Sequence, residues 1–171
     1  SQSIGRAIMD AFELYEEDKI KEAIAVLEEQ EPDPGYDSAY LARFLGNLYA
    51  ADERMGDALS VLKSAVDQDV LGWNDQAAAM KLVGQISLQE EKYEQSLEYL
   101  RKWVQFTGER DAQVFLYMAN AHYQMKNFAQ IIPFARVALQ ESEKPDKNIY
   151  NLMMASYYES KMYPQGIFFF F

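Results

Sequence analysis

The chain has 171 residues, 49% of them hydrophobic and 25% charged, which fits a globular domain with a sizeable core and excludes a disordered tail. Its 16 Lys and Arg against 27 Asp and Glu leave a formal charge of −11, so a phosphate-tracking surface would have to be built against the overall field and nucleic acid is not an expected partner. No cysteine is present, which removes disulfides, thiolate metal sites and Cys nucleophiles but leaves the compartment open.

The chain begins at Ser1 without Met, a basic n-region or an apolar h-region, so either it never had a signal peptide or it starts after one, and a mature or trimmed start is expected. No window approaches the roughly 18 to 20 consecutive apolar residues of a spanning helix. The first helical stretch is "AIMDAFELYEE" (Ala7 to Glu17), with apolar residues at three- and four-residue intervals, followed by "KIKEAIAVLEE" (Lys19 to Glu29). After the breaker "EPDPGYDS", where Asp or Ser is expected to start the next helix, come "LARFLGNLYAA" (Leu41 to Ala51) and "RMGDALSVLKS" (Arg54 to Ser64). In "DQDVLGWND" (Asp67 to Asp75), Gly72 is expected to end one helix and Asn74 or Asp75 to cap the next, leaving Trp73 in the loop as a staple against a neighbouring helix rather than an exposed anchor.

Then follow "MKLVGQISLQE" (Met80 to Glu90) with "KYEQSLEYLRK" (Lys92 to Lys102), the breaker "TGERD", "LYMANAHYQMK" (Leu116 to Lys126) with "NFAQIIPFARV" (Asn127 to Val137), and the breaker "SEKPDKN". The second members of these pairs align on Ala23, Ala58, Ser96 and Ile131, in steps of 35, 38 and 35 residues. Strand alternation and Asn-Gly hairpin signals are absent from the sequence. Each unit is therefore helix, short turn, helix.

This frame resembles the tetratricopeptide repeat (TPR) family, whose units place small residues where two helices cross closely and large ones around them. Leu45, Gly46 and Tyr49 followed by Ala58, Leu62 and Ala65 match it best; Ala11, Leu14, Ile20, Ala23 and Leu27 repeat the frame, as do Gly84, Tyr93, Ser96 and Leu100. Repeat four keeps Ala119, Phe128 and Ala138 but has Ile131 at the small-residue position. Trp103 stands where the family places alanine, which should either push repeats three and four apart locally or fill space left by Ser87 at the usual Tyr position. The implied fold is all-α, a TPR-type helix-turn-helix solenoid winding as a right-handed superhelix, one array of about four and a half repeats over 4–37, 39–74, 77–110, 112–146 and an incomplete 147–171.

Catalytic chemistry is thin. His122, the one histidine, shares the frame position of Tyr49 and reads as a half-buried core residue rather than a base; no second His or Cys completes a metal site. The acidic runs Glu16-Glu17-Asp18 and Glu90-Glu91 fall in turns, and no GxGxxG or phosphate loop is present, so neither enzyme activity nor a cofactor or metal is expected. In a TPR array the first helix of each unit lines the concave side. The inward positions are Arg43, Asn47 and Ala50; Lys81, Gln85 and Gln89; Leu116, Asn120, Tyr123 and Gln124; and Asn151, Tyr158 and Glu159. They form either an amide-rich, aromatic-studded groove for a peptide or simply a solvated helix face.

More specifically, "SQSIG" (Ser1 to Gly5), "AIAVLEE" (Ala23 to Glu29), "KYEQSLEYLRKW" (Lys92 to Trp103), "DAQVFLYMANAHYQMKNF" (Asp111 to Phe128) and "YYESKMYP" (Tyr157 to Pro164) resemble the periplasmic TPR proteins associated with TonB, ExbB and ExbD. That resemblance implies an exported accessory scaffold of a system coupling the inner-membrane proton gradient to iron-complex uptake, with TonB, ExbB or ExbD as partners. A cytosolic cochaperone-like adaptor, for which Arg43, Asn47 and Lys81 supply only part of a basic clamp, and an assembly module of a larger complex remain open alternatives. The ending "GIFFFF" (Gly166 to Phe171) falls in the frame of a fifth second helix, with Tyr163 as turn aromatic and Pro164 as first helical residue. It is expected to be the cut edge of a longer array, packing on its own first helix or on a neighbouring molecule.

Overall fold

The computed structural model describes residues 1–160, so the expectations for Tyr163 to Phe171 lie outside the described residues. These form α1 (Gln2–Glu16), α2 (Ile20–Glu28), α3 (Tyr36–Ala51), α4 (Met55–Gln68), α5 (Trp73–Gln89), α6 (Tyr93–Thr107), α7 (Ala112–Gln124), α8 (Ile131–Glu141) and α9 (Lys147–Glu159), with a 3₁₀ turn at Phe128–Gln130. No strand occurs among the described residues. The fold is all-α and built from helix hairpins of the TPR type.

The chain divides into two compact units, one spanning Ser1–Ile86 and one starting at Ser87. In the first, α1 packs on α2 and α3 on α4, with α3 also touching α1 and α2. The core holds the small residues that the frame requires: Ala23 and Ala58 are completely buried, and Ile24, Leu27, Leu45, Leu59 and Leu62 are buried in the same unit. Gln76 at the start of α5 is buried and donates to the Val66 carbonyl at 2.9 Å, tying α5 to the end of α4.

In the second unit α7, α8 and α9 pack on one another around Ala119, Ile131, Ala135, Ala138, Ile149, Met153 and Tyr157. Trp103 is buried in α6 as a core side chain, and Ser87 is buried with its hydroxyl accepting from Gln95 Nε2 at 2.8 Å. The frame predicts a continuous second helix from Phe128, but the chain makes a 3₁₀ turn first and the α-helix starts at Ile131. Pro133 explains the restart. Deep in a helix begun at Phe128 it would lose a hydrogen bond and clash with the preceding turn, whereas in the first turn of α8 its missing N–H is not needed.

The turns inside the hairpins share one geometry. Asp18, Glu53, Glu91 and Lys126 adopt left-handed backbone with φ of 63°, 61°, 62° and 60°, at the same 35-, 38- and 35-residue steps as the frame. The following residue donates back to the helix in each: Lys19 to Leu14 O (2.8 Å), Arg54 to Tyr49 O (2.8 Å), Lys92 to Ser87 O (2.7 Å) and Asn127 to His122 O (2.9 Å). Paired with the bonds that Asp18, Glu53, Glu91 and Lys126 themselves donate to the carbonyl three residues back, this is the Schellman helix ending, achieved without glycine.

Starts between hairpins follow expectation in two places: Asp111 Oδ1 accepts from Val114 N at 3.0 Å and Asp146 Oδ1 from Asn148 N at 2.9 Å. Two others differ. α3 starts from Gly35 at φ 100° with no side-chain cap, because glycine reaches that backbone region and leaves Asp37 and Ser38 inside the first turn. α4 ends at left-handed Asp69 rather than Gly72, and α5 begins at Trp73, so Asn74 and Asp75 lie inside the helix. Trp73 is thus the first residue of a helix rather than a loop residue, and it is 51% exposed.

Candidate functional site

The expected groove positions separate into two depressions, one per unit. In the first unit Arg43 and Asn47 of α3 and Lys81 and Gln85 of α5 line a depression of about 270 Å³, floored by Ala78, Ala79 and Leu82. In the second unit Asn120, Tyr123 and Gln124 of α7 and Asn151 of α9 line one of about 230 Å³, together with Asn148, Leu152 and Ala155. Gln89, the last residue of α5, lines neither, nor does Tyr158, which is 64% exposed near the end of α9.

Arg43 is not a free cation. Its Nε lies 2.7 Å from Asp75 Oδ1, an ion pair whose N–H is not aligned for a hydrogen bond, and its guanidinium sits 5.0 Å from the centroid of the Phe44 ring. The partial basic clamp expected from Arg43, Asn47 and Lys81 is therefore already neutralised in part from within the first unit.

A third depression escaped the sequence reading. Ile8, Ala11, Phe12 and Tyr15 of α1, Leu27 of α2, and Phe44, Asn47, Leu48 and Ala51 of α3 line an apolar pocket of about 230 Å³. Asn47 belongs both to this pocket and to the polar depression beside it. Phe12 stands edge-on to Phe44 at 6.0 Å, Phe44 edge-on to Tyr40 at 5.0 Å, and Tyr40 stacks on Tyr36 at 5.5 Å, forming a run of four rings. Phe12 remains 51% and Tyr15 43% exposed. The signal was in the frame: Arg43, Asn47 and Ala50 moved back 35 residues land on Ile8, Phe12 and Tyr15. Asn148 was missed for a related reason, lying one turn before Asn151 on the same helical face.

Charge is divided unevenly. Ser1–Ile86 holds 17 of the acidic and 7 of the basic residues, a charge of −10, while the remaining 10 acidic and 9 basic residues leave −1. On α1, Asp10, Glu13 and Glu16 are all exposed.

His122 is a buried core side chain, 5% exposed and stacked on Phe134 at 5.1 Å, with neither ring nitrogen hydrogen-bonded. Burial, aided by the Arg101 charge, holds it below the ordinary histidine range, so it is neutral near pH 7. Burial likewise pushes up the Tyr49 hydroxyl, its counterpart in the first unit. Among the described residues no group of three or more His, Asp or Glu side chains is placed to hold a metal ion. No described helix is long and apolar enough to cross a membrane.

No family model matches the chain, and no curated protein matches it in sequence. Solved structures do match in fold. The MamA protein of AMB-1 is 15% identical with a TM-score of 0.77, over 95% of this chain and 85% of that one. MamA from Desulfovibrio magneticus RS-1, residues 41 to the end, is 13% identical with a TM-score of 0.73, over 98% and 94%. A tetratricopeptide repeat protein from Parabacteroides merdae ATCC 43184 is 14% identical with a TM-score of 0.76, over 97% of this chain and 63% of that one. At these identities the likeness is one of fold.

Proposed function

We propose that the chain is a non-catalytic scaffold for protein–protein interaction, and that its repeats act as one array in the periplasm as an accessory of a TonB, ExbB and ExbD system that energises iron-complex uptake. The observation that carries the scaffold reading is the second-unit depression, where Asn120, Gln124, Asn148 and Asn151 surround a single opening beside Tyr123. Side-chain amides can both donate to and accept from the backbone of an extended segment, and a tyrosine adds flat contact area at low entropic cost. The TonB assignment is supported by the sequence resemblance, and the charge of −11 suits a lysine-rich partner.

The array is tested by pull-down against the periplasmic segments of TonB, ExbB and ExbD at low and high salt. Enrichment of one of them that weakens with salt is expected; no enrichment over an unrelated TPR array overturns the assignment.

A second reading, a cochaperone-like adaptor for acidic peptides, draws support from the meeting of Arg43, Asn47, Lys81 and Gln85 in one depression. The Arg43–Asp75 pair and the −10 charge of the first unit weigh against it.

A further inference from the structure

The apolar pocket of the first unit has a chemistry different from that of the amide-lined depression of the second. We infer that the pocket between α1 and α3 receives one aromatic or large aliphatic side chain of a basic peptide segment, whose flanking Lys or Arg residues lie against the acidic outer face of α1. This rests on the scaffold reading of the chain but not on TonB, ExbB or ExbD being the partner.

Three observations fit together. The pocket of about 230 Å³ is smaller than the usual range for a drug-sized ligand or cofactor, so it suits one side chain rather than a small molecule. Its walls are Ile8, Phe12, Tyr15, Phe44 and Leu48, and the half-exposed rings of Phe12 and Tyr15 leave apolar surface that a guest would cover. An aromatic guest would join the edge-to-face run of Phe12, Phe44 and Tyr40.

Charge selects the partner. Glu13 and Glu16 fall on the stripe of α1 beside Phe12 and are exposed, and the unit around them carries −10. An acidic segment would be repelled, whereas a basic one is steered in and held by pairs that salt weakens. The wall shared through Asn47 with the neighbouring depression gives the segment a continuation: beyond its anchor, its backbone reaches the amides of Asn47 and Gln85.

The test is fluorescence anisotropy with a short labelled peptide holding a single phenylalanine flanked by lysines. Two controls replace the phenylalanine by serine, or the lysines by glutamates. The phenylalanine peptide should bind at least about tenfold more tightly than the serine control, as expected for burying one aromatic side chain, and high salt should weaken it. Ala51→Trp fills the pocket from an exposed wall position and should remove that preference while helical content by circular dichroism is unchanged. Glu13→Lys with Glu16→Lys should weaken binding about threefold or more at low salt and little at high salt. Equal binding of the phenylalanine and serine peptides, binding of the glutamate control as tight as the lysine one, or an unaffected Ala51→Trp protein each overturns the inference. So does sedimentation showing self-association that Ala51→Trp abolishes, which would give the pocket to a second copy of the chain. Peptide binding without capture of TonB, ExbB or ExbD would fail the TonB assignment alone.

Discussion

Gly46 of α3 lies so close to Leu62 of α4 that a Cβ at position 46 would stand 2.4 Å from Leu62 Cγ. Leu62 is completely buried, so it has nowhere to retreat. Gly46→Ala gains about 1 kcal/mol of helix propensity but overpacks a filled crossing at a cost of about 1–3 kcal/mol. Net destabilisation of up to about 2 kcal/mol is expected in urea unfolding followed by circular dichroism. Leu62→Ala should cost less in the Gly46→Ala background than alone, because the smaller side chain makes room for the new methyl.

Left-handed Glu53 is exposed, so substitutions there act through the backbone alone. Glycine enters this region without the Cβ penalty, and a β-branched residue enters it worst. Glu53→Gly should stabilise the first unit by about 0.5–1 kcal/mol and Glu53→Val destabilise it by about 1 kcal/mol or more, read as opposite shifts in the unfolding midpoint. A midpoint unmoved by both would mean that the Schellman turn at this position carries no strain.

His122 makes stability depend on pH. Its folded value lies below the ordinary histidine value of about 6.5, so the unfolded chain binds the proton more readily. Stability from this residue is complete above about pH 6.5 and falls as pH drops toward the lowered folded value, below which no more is lost. His122→Phe keeps a ring against Phe134 and should flatten the stability profile over that window. The same acid sensitivity in the variant would locate its origin elsewhere.

The Arg43–Asp75 pair sets what the first-unit depression accepts. Asp75→Asn releases the guanidinium, and a peptide ending in glutamates and a free carboxylate should then bind several-fold more tightly than to the unaltered protein, by isothermal titration. Unchanged affinity would show that Arg43 does not face the bound peptide.

In the second unit, Asn120→Ala with Tyr123→Ala should weaken a confirmed partner by about tenfold or more, since both residues line the amide depression. Tyr158→Ala, outside that depression, should have a smaller effect. The reverse order would move the contact surface to the end of α9.

The repeat frame was legible because its cause is local and recurs. Small residues at Ala23, Ala58 and Ser96 mark the crossings, and all three are completely buried. Helix ends were less legible. The left-handed turns at Asp18, Glu53, Glu91 and Lys126 carry no glycine, and Gly72, where glycine suggested a stop, is not one. The delayed start of α8 follows from Pro133, a local signal overlooked because the frame argued for continuity.

The sequence by itself determined the all-α hairpins, their period, the buried crossings and the acidic balance, since each depends on residue type at a fixed spacing along one helix. Only the tertiary structure decided which polar groups are spent and which surfaces are left. Arg43 is taken by Asp75 from another helix, and Phe12 of α1 becomes the wall of a pocket only when α3 brings Phe44 and Leu48 beside it. Such outcomes depend on competition among partners distant in sequence, and periodicity carries no record of that competition.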